Sequence, residues 1–232
     1  MPIFDRAPAP RSAGGPPDAG ELFIKVLLAN DPAGQALAVD IFRAIKQAHK
    51  TWQSAAMLTG VQVMSITAVG GTLIGPPLAP LIIAIRPGTN DFERKLVQAI
   101  ASVVGNSWIA FCATVRAPGL PWYPSFAAVP SPVAPPMPNV PTPFNTLTHV
   151  PGLLAPGIMK PPIMAQLRND KAAEGIVDSV LSAFQQFISA WTATTMVTNV
   201  LGTGPVPSFA PPFVPVGPVV GGTANMIPGG LL

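Results

Sequence analysis

Charged side chains are scarce in this sequence. Asp, Glu, Lys and Arg make up 10% of the 232 residues, whereas a soluble globular domain has about 25%. No charged side chain occurs between Asp178 and Leu232. Apolar residues make up 49% and the mean hydropathy is +0.45, which argues against a disordered chain. We therefore expect neighbouring subunits or lipid to cover much of the apolar surface.

The charges that are present do not cluster. The 13 basic residues give a formal net charge of +3 and a pI near 9.4, but they are spread along the chain without forming a stripe. A protein that neutralises phosphates needs a concentrated basic face. We therefore expect no nucleic-acid partner.

Cysteine and histidine are almost absent, and this limits the available chemistry. Cys112 is the single cysteine, so no internal disulfide forms, and its apolar neighbours predict a buried thiol. His49 and His149 stand in unlike contexts without an HxxxH, CxxC or acidic cluster, so we predict no metal site and no cofactor. The serines also lack a histidine or acid at triad-like spacing: Ser107, Ser125 and Ser208. We expect a protein that is not an enzyme and has no small-molecule substrate.

An apolar signal-peptide core is also missing, since residues 1–20 hold proline, glycine and charges. No Sec-type export is predicted, and we expect a cytoplasmic protein that later joins a particle. Residues 1–20 resemble an extended arm, either disordered or ordered by a neighbour. The short apolar segment 21–30 is compatible with a strand or a helical turn.

Three segments that begin with Asn-Asp are predicted to form amphipathic helices. Their expected N-caps are Asp31, Asn90 and Asp170, because a short polar side chain accepts hydrogen bonds from first-turn amides. The first helix is expected to run to about Leu58, with His49 on its polar flank. Apolar residues recur at three- and four-residue spacing in all three segments: Leu37, Ile41, Ile45, Ala48 and Trp52; Leu96, Ile100, Val103 or Val104, Trp108 and Phe111; Ile176, Val180, Phe184, Phe187 and Trp191.

Proline is abundant, at 31 residues, and it follows the helices in a repeated pattern. Pro-Ser-Phe-Ala occurs at 124–127 and again at 207–210, and Trp108 precedes Phe126 by the same distance as Trp191 precedes Phe209. Trp52 stands as far from its helix cap as Trp191 does. We interpret the chain as three copies of one unit: a capped helix, a tryptophan, a glycine break and a proline-rich arm. The tryptophans and the two phenylalanines are the expected packing and interface anchors.

From 118 to 162 proline stands at nearly every third position, a density that predicts polyproline II or irregular chain instead of helix or ladder. The expected fold class is therefore mainly α, with three helical repeats, each followed by an extended proline-rich arm, and little or no β-sheet. The expected divisions are an N-terminal arm with a short apolar segment, then repeats 1, 2 and 3: 1–29, 30–88, 89–168 and 169–232.

Low charge, proline arms and internal repetition predict a non-enzymatic structural component of a large symmetric assembly. A phage virion or tail, or a contractile-injection-type particle, would suit such a chain. Its partners would be copies of itself and other subunits. The alternative is a membrane-associated subunit with lipid-facing helices near 53–85 and 176–201, since 35 residues between Lys50 and Arg86 carry no full charge.

Overall fold

The computed structural model describes residues 19–64, 67–121, 133–205, 209–210, 214–215 and 219–232. Six α-helices occur in these ranges, together with two short 3-10 turns at Phe144–Thr146 and Pro151–Leu154. The helices are α1 Ala19–Leu27, α2 Pro32–Ala55, α3 Leu78–Ile85, α4 Asp91–Thr114, α5 Pro156–Gln166 and α6 Lys171–Thr194.

Helices α2, α4 and α6 share the same length and the same kind of start. Each has 24 residues. The side chain of each cap residue accepts a hydrogen bond at 2.9 Å from a backbone amide of the first turn. Asp31 accepts from Gly34, Asn90 from Glu93, and Asp170 from Ala172. Each helix ends in a residue with extended backbone, at Ala56, Val115 and Thr195. The chain then enters a strand.

The described strands number ten, and six of them form one antiparallel sheet. They are β1 Met57–Met64, β2 Thr67–Ile74, β3 Ala117–Pro121, β4 Val133–Met137, β5 Thr142–Pro143, β6 Met196–Val197, β7 Val200–Pro205, β8 Phe209–Ala210, β9 Val214–Pro215 and β10 Val220–Met226. The sheet order is β3-β2-β1-β10-β7-β4, while β5 pairs with β6 and β8 with β9. The first and last strands of the sequence thus meet at its centre, where Val61 pairs with Ala224.

This sheet overturns the predicted fold class. The expectation of a mainly α chain with little or no β-sheet is wrong, because the segments after the long helices fold back and pair with one another. The prolines are compatible with this because β3 and β4, which carry Pro118, Pro121 and Pro135–Pro136, are the two edge strands. A proline lacks the amide hydrogen that a residue donates to a neighbouring strand, and at an edge this amide can face away from the sheet. Of the four inner strands, β1, β2 and β10 contain none, and β7 has its proline, Pro205, at its last position.

Helix α5 corrects the expectation that residues 118–162 form no helix. It contains Pro161–Pro162, which have no amide hydrogen and leave the carbonyls of Gly157–Ile158 without helical partners. All four residues are exposed, so water can hydrate these carbonyls. The opposite side of α5 buries Met159 and Ile163 completely, and this packing stabilises the helix despite its prolines.

Helix α2 ends at Ala55, and the expectation that it continues to Leu58 is wrong. The alternation of apolar residues from 58 onward places Leu58, Val61 and Val63 on the buried face of β1. Gly60 has a φ of +71° and the facing strand has a φ of +82° at Gly71. These left-handed residues are skipped in the ladder between β1 and β2, although the register is the same on both sides of them, so the glycines permit a local distortion inside the hairpin.

The segments proposed as lipid-facing helices are divided between helices and strands, and both contribute residues to the core. Residues 53–85 contain the end of α2, the β1–β2 hairpin and α3, while 176–201 runs along α6 into β6 and β7. One described helix, α4, is long and apolar enough to cross a membrane on length and composition, and 61% of that stretch is buried inside the fold. Helices and sheet share one continuous hydrophobic core.

Candidate functional site: a tryptophan cluster, an open sheet face and a basic groove

The tryptophans of the three long helices meet in the core. The ring centroid of Trp52 lies 4.7 Å from that of Trp108 and 6.2 Å from that of Trp191, and the last two are 5.7 Å apart. The ring planes cross at 67° to 88°, the edge-to-face geometry that aromatic pairs favour. Each ring stands in the C-terminal part of its helix, so the cluster holds three helix ends together just before the chain enters the sheet.

His49 lies at the centre of this cluster, although its neighbours in sequence suggested the polar flank of α2. Its exposure is 1%. Its ring centroid is 4.8 Å from those of Trp108 and Trp191, 5.1 Å from Phe187 and 5.5 Å from Trp52. Helices α4 and α6 both contact α2 here, so the buried face is wider than one stripe. The signal was the spacing, since His49 precedes Trp52 by one helical turn.

The imidazole of His49 packs among aromatic rings in the described part of the chain. Its Nε2 is buried without a hydrogen-bond partner, and so is Nε1 of Trp108. Burial lowers the pKa of His49 from 6.5 to about 3, because the imidazolium would lose its hydration without gaining a partner. The ring is therefore neutral at neutral pH and packs as an aromatic side chain.

The described residues near this cluster offer little catalytic chemistry. Burial raises the pKa of the Cys112 thiol to about 12, so the thiol stays protonated. No group of three His, Cys, Asp or Glu residues suited to a metal ion occurs within the described ranges. The arrangement of His49 and the tryptophans is suited to packing, since no acid or base in it is ready to exchange a proton near neutral pH.

Gln53 connects the cluster to the last residues of the chain. Its Oε1 accepts from Nε1 of Trp191 at 3.0 Å, and its Nε2 donates to the carbonyl of Leu231 at 3.1 Å. A second contact fixes the same C-terminal residues, because Met196 and Leu232 exchange two backbone hydrogen bonds. No pattern in the sequence pointed to Gln53, whose partners are more than a hundred residues away.

A basic groove lies beside this connection. It has a volume of about 1090 Å³ and is open to solvent. One wall is the outer side of α2, with Arg43, Lys46 and Lys50, and the apolar lining includes Phe187 and Trp191. The other described lining residues come from α2 and the C-terminal segment: Gln47, His49, Thr51, Gln53, Ser54, Gly229, Leu231 and Leu232.

The cations of the groove differ in how firmly they are held. Arg43 donates to both carboxylate oxygens of Glu21, at 2.9 and 2.7 Å, and Lys46 lies 3.4 Å from the same carboxylate. Hydrogen bonding from Arg43 lowers the pKa of Glu21. Lys46 also stands 5.0 Å above the ring of Phe42. Lys50 is exposed and has no hydrogen bond or ion pair with any described residue, so its charge is available to a partner.

The outer face of the six-stranded sheet is free of charge. A row of paired residues crosses four strands, from Val69 through Gln62 and Thr223 to Thr203. No residue of these strands is charged. The face also includes Thr59, Thr72, Leu201 and Asn225, with exposed Met64, Ile74 and Val220 toward its ends. The open face, as we call this set, combines uncharged hydrogen-bonding groups with exposed apolar side chains.

The expected arm anchors lie largely outside the described residues. Phe126 falls in 122–132, which are not described. Phe209 belongs to β8, whose backbone pairs with β9 between Phe209 and Pro215. The tetrapeptide repeat therefore adds no described side chain to the site. Trp52, Trp108 and Trp191, in contrast, lie together in the core cluster.

No known protein family, curated protein or solved structure matches this chain. The function must therefore be argued from the open face, the tryptophan cluster and the groove.

Proposed function

We propose that this protein is a non-enzymatic structural component of a large symmetric assembly, such as a phage virion or tail or a contractile-injection-type particle. The observation that carries the proposal is the open face, an uncharged surface spanning β2, β1, β10 and β7. Soluble surfaces are normally rich in charge, whereas the cores of interfaces are depleted of it. A surface of this kind is suited to permanent cover by another subunit.

The occupant we propose for the open face is a second copy of this chain. Two copies related by a twofold axis present the same patch to each other. A charged patch would then meet its own charge, which opposes association. The open face avoids this penalty, because Gln62 and Thr223 would meet residues that both donate and accept hydrogen bonds.

The sheet edges support contact through the face. Both edge strands carry prolines, at Pro118 and Pro121 in β3 and at Pro135–Pro136 in β4. Proline removes the donor that an added strand needs, and natural proteins use it to block pairing at sheet edges. A neighbour is therefore expected to pack against the face and not to extend the sheet.

Sedimentation of matched charge variants tests this proposal. The wild-type protein is expected to associate as its concentration rises, and Gln62→Glu should weaken association by about tenfold or more, because each contact would bury two like charges. Gln185→Glu makes the same chemical change at an exposed position of α6 and should leave association unchanged. A wild-type protein that stays monomeric at high concentration, or equal effects of the two variants, would contradict the proposal.

A further inference from the structure

We infer that a cleft beside the tryptophan cluster binds an uncharged proline-rich segment of a neighbouring subunit, in the polyproline II conformation. The cleft has a volume of about 290 Å³ and lies between the C-terminal part of α4, the end of β2 and the link 75–77 that leads into α3. We call it the tryptophan cleft, because Trp52 and Trp108 line it. It adjoins the open face at Thr72 and Ile74, but a segment can bind in it whether or not two copies associate.

The described lining of the tryptophan cleft is mostly apolar and contains no charged residue. Its floor is buried, since Trp52 and Trp108 are each 1% exposed. Its rim is exposed, with Ile109 at 54%, Ile74 at 42% and the neighbouring Pro77. An occupant would remove these rim side chains from water. A charged occupant would lose its own hydration without gaining a charged partner, so the lining favours an uncharged one.

The floor of the cleft also has hydrogen-bond donors that lack acceptors. Of the three indoles in the cluster, that of Trp191 donates to Gln53. Nε1 of Trp108 is buried without a partner, and no described residue accepts a hydrogen bond from Nε1 of Trp52. A Cβ at position 75 would collide with this nitrogen, so Gly75 keeps the pyrrole edge of Trp52 free of a covering side chain. An occupant with free acceptors would therefore gain a hydrogen bond that the described protein does not supply.

A polyproline II segment meets both requirements. Its rings are apolar, and its backbone carbonyls have no internal hydrogen bonds, so they can accept from an indole. Proline-rich segments bind to aromatic-lined grooves in this way, and a segment that is already extended loses little conformational entropy when it binds. Such sequence is abundant in this chain, which has 31 prolines and 10% charged residues. Other copies in an assembly can therefore supply it.

The size of the cleft favours part of a longer chain over a free small molecule. Sites that enclose a drug-sized ligand have volumes of about 300 to 1,000 Å³, and the tryptophan cleft lies at the lower limit of this range. The exposed rim continues along α4 from Ile109 to Ala113. A few rings of a segment would fill the cleft, while the residues on either side of them would pack over the rim.

The binding test uses synthetic octaproline that carries fluorescein at its N-terminus. Fluorescence anisotropy with the full-length protein should show saturable binding. An octapeptide of alternating glycine and serine with the same label should bind at least tenfold more weakly, because it lacks rings and is flexible. N-acetylprolinamide, used as a competitor, should also be at least tenfold weaker than unlabelled octaproline. Equal binding of either control would contradict a proline-rich segment as the occupant.

Variants locate the site. Ile109→Glu places a charge at the rim and should weaken octaproline binding at least tenfold. Ile158→Glu makes the same change at an exposed position of α5, outside the cleft, and should have little effect. Equal effects of the two variants, or no binding by the folded wild-type protein, would refute the inference. Gln62→Glu should bind octaproline as the wild-type protein does, and this result would separate the cleft from self-association through the open face; loss of binding in Gln62→Glu would contradict an independent site.

The indole donor has its own readout. In ¹H–¹⁵N NMR spectra, octaproline should shift the indole N–H signal of Trp52 and leave that of Trp191 in place, because the Trp191 indole already donates to Gln53. Trp52→Phe keeps an aromatic ring, removes the donor and should weaken binding about fivefold. The NMR measurement on the wild-type protein does not depend on how well this variant folds. An unmoved Trp52 signal at saturating octaproline would overturn the assignment of the cleft.

Discussion

The buried imidazole of His49 makes a specific prediction about acid. The residue is 1% exposed, its Nε2 has no partner, and burial lowers its pKa to about 3. An unfolded chain binds the proton below about pH 6.5, while the folded chain does not. Stability is therefore fully present above about pH 6.5 and falls as the pH decreases toward 3, because the unfolded state binds more protons over that range.

The size of the effect follows from the two pKa values. Each pH unit in the window costs about 1.4 kcal/mol, so moving from about pH 7.5 to about pH 5 should lower the free energy of unfolding by about 2 kcal/mol. This window lies above the ordinary carboxylate range. Glu21 and Glu93 have lowered pKa values in the folded protein, so they stabilise it. This stabilisation is lost mainly below about pH 4.5, and it therefore contributes little to the change in stability between about pH 7.5 and about pH 5.

Urea unfolding at both pH values, followed by tryptophan fluorescence and far-UV circular dichroism, measures the loss. His49→Leu removes the titrating group and the unpaired nitrogen and should lose no more than about 0.5 kcal/mol over the same window. Trp108→Phe alters the packing of the same cluster without removing His49, so it should keep the wild-type pH dependence. If the wild-type protein and His49→Leu lose the same stability between the two pH values, the reasoning about His49 is wrong.

Two further variants test local hydrogen bonds by the same urea assay. Asn139→Ala should lower the free energy of unfolding by about 2 to 4 kcal/mol, because the buried Asn139 side chain donates to Val197 and accepts from Val200. Exposed Asn145→Ala should change it little, and a small effect at both positions would contradict the role of Asn139. Asn90→Ala should lower the free energy of unfolding by about 1 kcal/mol, because α4 loses its cap. Asn106→Ala, on the exposed side of α4, should leave this free energy unchanged or raise it slightly. Equal changes for the two variants would contradict the role of the cap.

Local chemistry accounts for what the sequence predicted of the fold. The Asn-Asp pairs stand where α2, α4 and α6 begin, since capping depends on side chains within three residues. The sheet was missed because its pairing is nonlocal. Proline density suggested unpaired arms, but the proline-free stretches 57–64 and 220–226 form the central strands and meet only in the fold. Edge position, which makes Pro118 and Pro136 acceptable, is not visible in a single sequence.

The site shows the same division between local and nonlocal signals. The regular positions of Trp52, Trp108 and Trp191 singled out three residues that the fold places together. A helix packed on one side predicts His49 on a polar flank, whereas rings from both α4 and α6 pack against His49 on α2. The groove depends on Gln53 bridging α6 and the C-terminal segment, and no helical period contains that information.

The pairing of β1 with β10 has a consequence for synthesis on the ribosome. Gly60 and Asn225, which are joined by a hydrogen bond across these strands, are 165 positions apart. The hairpin formed by β1 and β2 therefore has no central partner until residues 220–226 have been made, and the outer edge of β1 stays unpaired during that time. Contacts between such distant residues are slow to form, and exposed unpaired strands promote aggregation. Pairing of β1 with β10 is therefore expected late in folding, with a need for chaperones that grows when synthesis is slow.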